Sequence, residues 1–130
     1  MDDWTYCQQT LPKVSRTFAL NIKTLQGVRH RSVLIAYLFC RTVDTVEDAA
    51  ELDPKIKIKL LLEFSRLIEN REYRFDHIDS WLEDCATVDG STNDLDLLRN
   101  IKRVFNVFDS LKSNYQDQII PAVSKMAKGM

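Results

Sequence analysis

Residues 37–49 read YLFCRTVDTVEDA, and the interpretation of this stretch decides the fold. It opens as an apolar helix, yet it sets Arg41, Asp44, Glu47 and Asp48 into the same run. On a helix, Tyr37, Arg41, Asp44 and Asp48 fall within about 60° of one another, with Glu47 at the edge of the stripe. Val33, Leu34, Leu38, Phe39, Val43 and Val46 occupy most of the remaining girth. A helix apolar on most sides belongs in a core, and an unpaired buried carboxylate is costly. The ionisable line therefore faces water, as on an ordinary ion-paired surface helix, or a polar cavity that receives a cation. Carboxylates one turn apart suit a hard cation such as magnesium, which takes oxygen ligands, keeps several waters and commonly meets substrate phosphates. Arg41 on the same line could address such a phosphate, and Tyr37 could donate its hydroxyl or line the cavity. Spacing alone leaves both readings open.

The rest of the chain is written for helices. Its 130 residues suffice for one domain with a core, and 45% hydrophobic with 28% charged residues excludes a disordered chain. Eighteen basic and nineteen acidic residues nearly cancel, which argues against nucleic acid as a partner. No apolar run approaches the roughly 20 residues of a membrane-spanning helix. The opening MDDWTYCQQTL shows no basic leader followed by an apolar stretch, so no signal peptide is expected. Cys7, Cys40 and Cys85 form neither a zinc pattern nor a disulfide framework, and a reducing compartment is expected.

Glycine and proline number three each, so turns are scarce. Pro12 predicts the start of a helix reaching Leu25, with Gly27 just beyond its end. A second helix is expected over Ser32–Ala50. Asp53 followed by Pro54 predicts a capped start for a third, which carries Ile58, Leu61, Leu62, Leu67 and Ile68 and stops near Asn70. Residues 71–90 read as a connector holding one short helix around Ile78–Leu82. Ser91 predicts the cap of a last helix, with Asp94 as its reciprocal partner. Leu95, Leu98, Ile101, Phe105, Phe108, Leu111, Tyr115 and Ile119 then mark one continuous face, which Pro121 should kink or end. Nothing alternates as a strand does, so the expected class is all-α.

Two motifs carry a family likeness. SRTF at Ser15–Phe18 and YLFCRTVDTVED at Tyr37–Asp48 together resemble the squalene/phytoene synthase family, which joins two isoprenoid diphosphates head to head. The interval between them fits, WTYCQQTLPKVSRTFALNIKTL resembles the family's opening, and YRF at Tyr73–Phe75 resembles its squalene synthase branch. Head-to-tail synthases and terpene cyclases share aspartate-rich helices but would not bring SRTF. The resemblance implies the all-α class I isoprenoid synthase fold. It implies a magnesium-dependent prenyltransferase condensing two prenyl diphosphates, farnesyl diphosphate favoured, through a cyclopropyl diphosphate intermediate. By position, Asp44 and Asp48 resemble the magnesium ligands, with Glu47 supporting the metal cluster. Arg41 and Tyr37 resemble the diphosphate and cavity residues, and Ser15, Arg16 and Phe18 the substrate-binding segment near a diphosphate. NADPH is implied for a squalene product but not for the phytoene or dehydrosqualene alternative. RHR at Arg29–Arg31 reads as a solvated loop, with contact to a diphosphate or a lipid headgroup as the second reading.

One departure accompanies the likeness. Family enzymes are longer and carry a second aspartate-rich helix facing the first. The carboxylates of DHID (Asp76–Asp79), LEDCATVD (Leu82–Asp89) and NDLD (Asn93–Asp96) sit in the expected connector or beside a cap and do not supply one. The chain is therefore expected to be the N-terminal half of a single isoprenoid synthase domain over residues 1–130, inactive alone. Its expected location is the cytoplasm or the cytoplasmic face of a membrane, with peripheral membrane contact. Self-association would cover the apolar face left open. A non-catalytic helical module that binds a partner is the alternative function.

Overall fold

The apolar girth of the Tyr37–Asp48 stretch becomes the centre of the molecule. The computed structural model describes residues 1–22, 25 and 27–129. Among them are eight α-helices: α1 Asp3–Val14, α2 Arg16–Ile22, α3 Gly27–Glu47, α4 Pro54–Glu69, α5 Arg71–Asp84, α6 Thr92–Arg99, α7 Ile101–Ser110 and α8 Ser113–Ala127. A 3-10 turn, Cys85–Thr87, follows α5. No described residue lies in a strand, and the fold is all-α as expected. α3 packs against α1, α2, α4, α6, α7 and α8, burying Leu34, Ile35, Leu38, Phe39, Val43 and Val46. At its middle the Phe39 ring meets Phe64, Phe105 and Phe108 at centroid distances of 6.2, 4.8 and 5.4 Å. This helix starts earlier than its expected Ser32, at Gly27, whose φ of +61° glycine adopts without strain. It ends at Glu47, short of Ala50.

Pro12 does not open a helix. The start lies at Asp2, whose carboxylate accepts from the Thr5 N–H at 2.7 Å, and Pro12 falls in the last turn of α1. The chain then extends at Ser15 (φ −161°, ψ 102°), whose hydroxyl accepts from the Phe18 N–H at 3.2 Å and starts α2. Lys23 and Thr24, which the expected first helix included, lie outside the described residues.

The junction of α4 and α5 is built from two caps. Asp53 accepts from the Lys55 N–H at 2.8 Å at the start of α4, as expected. Asn70 ends α4 and accepts from the Tyr73 N–H at 2.9 Å, so the same residue starts α5. The expected connector is thus a full 14-residue helix. Its buried row is Arg74, Ile78 and Trp81, helically spaced but with an arginine where an apolar residue would signal the period. Arg74, 5% exposed, lies 4.4 Å from the Phe105 ring centroid. It donates to the Leu67 carbonyl at 3.1 Å and pairs with the Asp109 carboxylate. Trp81 donates its indole N–H to the Leu60 carbonyl at 3.0 Å. Together these bonds hold α5 to α4 and α7.

The expected long helix after Ser91 is three helices. Its Ser91 cap is as expected, with the hydroxyl accepting from the Asp94 N–H at 3.1 Å, but the Asp94 carboxylate does not return the bond and pairs with Arg41 instead. The chain breaks at Asn100 (φ −104°, ψ 21°) and again at Leu111, where ψ is 153°. The apolar period runs on through both breaks, since Leu98, Ile101, Phe105, Phe108, Leu111 and Ile119 are all buried. Gln116 closes the second break by donating to the carbonyls of Phe108, Asp109 and Leu111. Pro121 does not end α8, which continues to Ala127. The three cysteines are free; burial pushes the Cys7 and Cys85 thiols up to about 12 and leaves them unreactive. No described helix is long and apolar enough to cross a membrane.

Removing one partner of a buried ion pair strands the other, at a typical cost of about 3 kcal/mol. Asp109→Ala should lose about that much stability in urea denaturation, whereas Asp79→Ala, which breaks the exposed pair with Lys102, should stay within about 0.5 kcal/mol. Equal losses in the two variants would show that the carboxylate is not what holds Arg74.

Candidate active site

The stripe on α3 is the side of the central helix that its neighbours leave open. Tyr37, Arg41 and Asp44 are half-buried there, while Glu47 and Asp48 are exposed. The first motif meets the second through aromatic rings: Phe18 stacks on Tyr37 with centroids 4.1 Å apart and planes 13° apart. Ser15 sets this up, because its bond to the Phe18 N–H fixes the first turn of α2. Three of the expected site residues, Ser15, Phe18 and Tyr37, thus form one continuous surface.

One turn on, Arg41 is held in a fixed orientation. Its Nε and Nη2 donate to the two carboxylate oxygens of Asp94, both at 3.0 Å. The Asp94 side chain is 14% exposed and that of Arg41 34%. The hydrogen bonds it donates to Asp94 raise the Arg41 pKa further, so the guanidinium is always charged. Asp94 was expected only as a capping partner of Ser91. Its backbone N–H does serve that cap, but its carboxylate reaches a helix 53 residues away. Nothing in the local sequence singles out this pairing, since Asp44, three residues on from Arg41 on the same stripe, is an equally available partner.

The carboxylates gather where α3 ends. Asp48 is one turn beyond Asp44, its N–H bonded to the Asp44 carbonyl at 2.8 Å. No basic residue lies in the last turn of α3, so the acids crowd the negative end of the helix dipole. None of the Asp44, Glu47 and Asp48 carboxylates has a hydrogen bond or ion pair among the described residues. Burial raises the Asp44 pKa first, and repulsion from Asp48 and Glu47 adds to it, against a smaller opposing pull from Arg41. A hard cation would relieve this arrangement, and the oxygen donors fit one. No three histidine, cysteine or acidic side chains among the described residues converge closely enough to hold a metal ion unaided. Arg16 is exposed beside Pro12, Ala19 and Leu20, and no bond ties it to the stripe.

The chain resembles known proteins over almost its whole length. The sequence profile of the squalene/phytoene synthase family matches residues 11–130. A squalene synthase of Eremothecium gossypii is 33% identical over 127 residues, covering 95% of this chain and 26% of that protein. Squalene synthase 1 of Panax ginseng is 32% identical, covering 98% and 28% respectively. The chain therefore spans about a quarter of the length of these curated relatives. A solved structure of TcSQS in complex with the ligand BPH1237 superposes with a TM-score of 0.80 at 28% identity, over 98% of this chain and 34% of that one. The stacked motif pair, the all-helical frame and these matches lead to one assignment: the chain belongs to the squalene/phytoene synthase family, on its squalene synthase branch.

Proposed function

We propose that α2 and α3 form one wall of a magnesium-dependent prenyltransferase site, where two farnesyl diphosphates condense head to head through a cyclopropyl diphosphate. The Phe18–Tyr37 stack carries this reading, because it joins the two motifs into one surface whose other end is the unpaired carboxylate cluster. Asp44 and Asp48, one turn apart, would hold the ion, with Glu47 at their edge; diphosphate oxygens and water would complete its shell. When bound, magnesium supplies the charge that neutralises a departing diphosphate. Asp94 occupies the Nε–Nη2 edge of Arg41 and leaves the Nη1 end to receive a phosphate oxygen. The Phe18 and Tyr37 rings give the reacting prenyl chain an apolar face that excludes water. A squalene product also requires reduction by NADPH, which no residue of this wall is proposed to bind.

The raised Asp44 pKa gives the first test. An acid whose folded pKa is raised destabilises the fold when ionised; that penalty is full above the folded pKa and disappears as pH falls through it toward the unfolded value. At pH 7 in metal-free buffer, Asp44→Asn should therefore raise the melting temperature, by about 1–3 °C for a group only half-buried. Magnesium with farnesyl diphosphate should stabilise the wild type and leave the variant unmoved, read by thermal denaturation. The same gain in both proteins would return the carboxylates to a solvated surface. Calorimetric titration supplies the second test: Arg41→Gln should weaken magnesium-dependent binding of farnesyl diphosphate about tenfold, as loss of a charge-assisted phosphate contact would. Unchanged affinity would remove Arg41 from the diphosphate site.

A further inference from the structure

The opposite end of α3 carries a second set of charges, of the other sign. A cavity of about 560 Å³ opens there, between the start of α3, α1 and the turn from α7 to α8. Its lining includes His30, Arg31 and Lys112 and no described carboxylate. These three side chains make no ion pair with any described residue. Arg31 instead lies against the Trp4 ring, 4.5 Å from its centroid, and His30 meets the same ring edge-on at 6.0 Å. Stacking holds a guanidinium by its face and leaves its N–H edge free for a planar fork of acceptor oxygens. Asp2 is near enough to feel Arg31, and its carboxylate is bonded to the Thr5 N–H at the start of α1.

The backbone adds to this charge. α3 opens at Gly27 and Val28 on the cavity wall, with no acid in its first turn. α8 starts from Lys112, with neither a side-chain cap nor an acid in its first turn. Two positive helix ends and three basic side chains thus face one hollow, an arrangement that selects a compact, multiply charged anion. Arg31 lies thirteen residues before Asp44, about 20 Å along the helix, so the magnesium wall and this hollow are separate sites.

We propose that this cavity is a second anion site, which takes a phosphate or diphosphate group from a free phosphorylated compound or a lipid headgroup. RHR at Arg29–Arg31, expected in a solvated loop, lies in the first turns of α3, and the site gives His30 and Arg31 a role. The proposal does not depend on the magnesium site. Nitrogen-15 spectra of the purified chain, titrated with inorganic diphosphate in metal-free buffer, test it. The Trp4 indole N–H and the amides of Val28, Arg31 and Ser113 should shift saturably, while the indole of Trp81, buried and bonded to Leu60, stays fixed. Arg31→Gln and Lys112→Gln should each weaken the titration about tenfold, and Asp44→Asn should leave it unchanged. Lys112 is exposed, so its variant reads binding without a change of fold. Flotation with phosphatidylcholine vesicles, with and without phosphatidic acid, separates the two sources. Flotation that requires both phosphatidic acid and Lys112 identifies a headgroup, and a diphosphate titration without flotation identifies a free compound. Neither response, or responses that survive both substitutions at full strength, would overturn the site.

Discussion

Everything in this molecule depends on one helix being enclosed. α3 is touched by six of the other helices, and its apolar girth accounts for much of the core. A helix so placed can show polar groups only along the narrow sector its neighbours do not cover. Tyr37, Arg41 and Asp44 fill that sector, so the site is the residual surface of the packing. The helix ends are open for the same reason. The carboxylates stand at one end and the basic cavity at the other, each where α3 emerges from its sheath.

Two arginine–aspartate pairs differ in what burial leaves exposed. Arg74 is enclosed by the Phe105 ring, the Leu67 carbonyl and Asp109, and no part of it is offered to a ligand. Arg41 makes a two-bonded pair with Asp94 but keeps a third of its side chain exposed. The first arrangement locates α5 and nothing more. The second holds a cation at a fixed angle while leaving one end of it free.

The fold class and the stripe were legible because both follow from period. The apolar positions around Tyr37–Asp48 specify burial, and the ionisable positions specify one direction. Period also misled. It passes unbroken through Asn100 and Leu111, where no glycine or proline marks the breaks, so three helices read as one. It fades in α5, because one of the three inward residues there is an arginine whose partners lie on α4 and α7. Pro12 was misread since proline is tolerated near a helix end as well as at its start, and the Asp2 cap was the stronger marker. Asp94 was legible as a local cap but not as the partner of Arg41, because a pairing across 53 residues leaves no trace in local spacing.

That distance along the chain makes the two halves of the wall unequal in what they need. The aromatic half needs only α2 to fold back onto α3, a closure between Phe18 and Tyr37. The arginine half also needs α6 docked, because the acid that aims Arg41 is far downstream. Closing that longer stretch of chain costs more entropy, although the cost grows only slowly with length. Without α6 in place, Arg41 would stand loose beside three crowded carboxylates. Its fixed angle is in this sense a property of the whole fold, since no stretch of sequence around the motif can produce it alone.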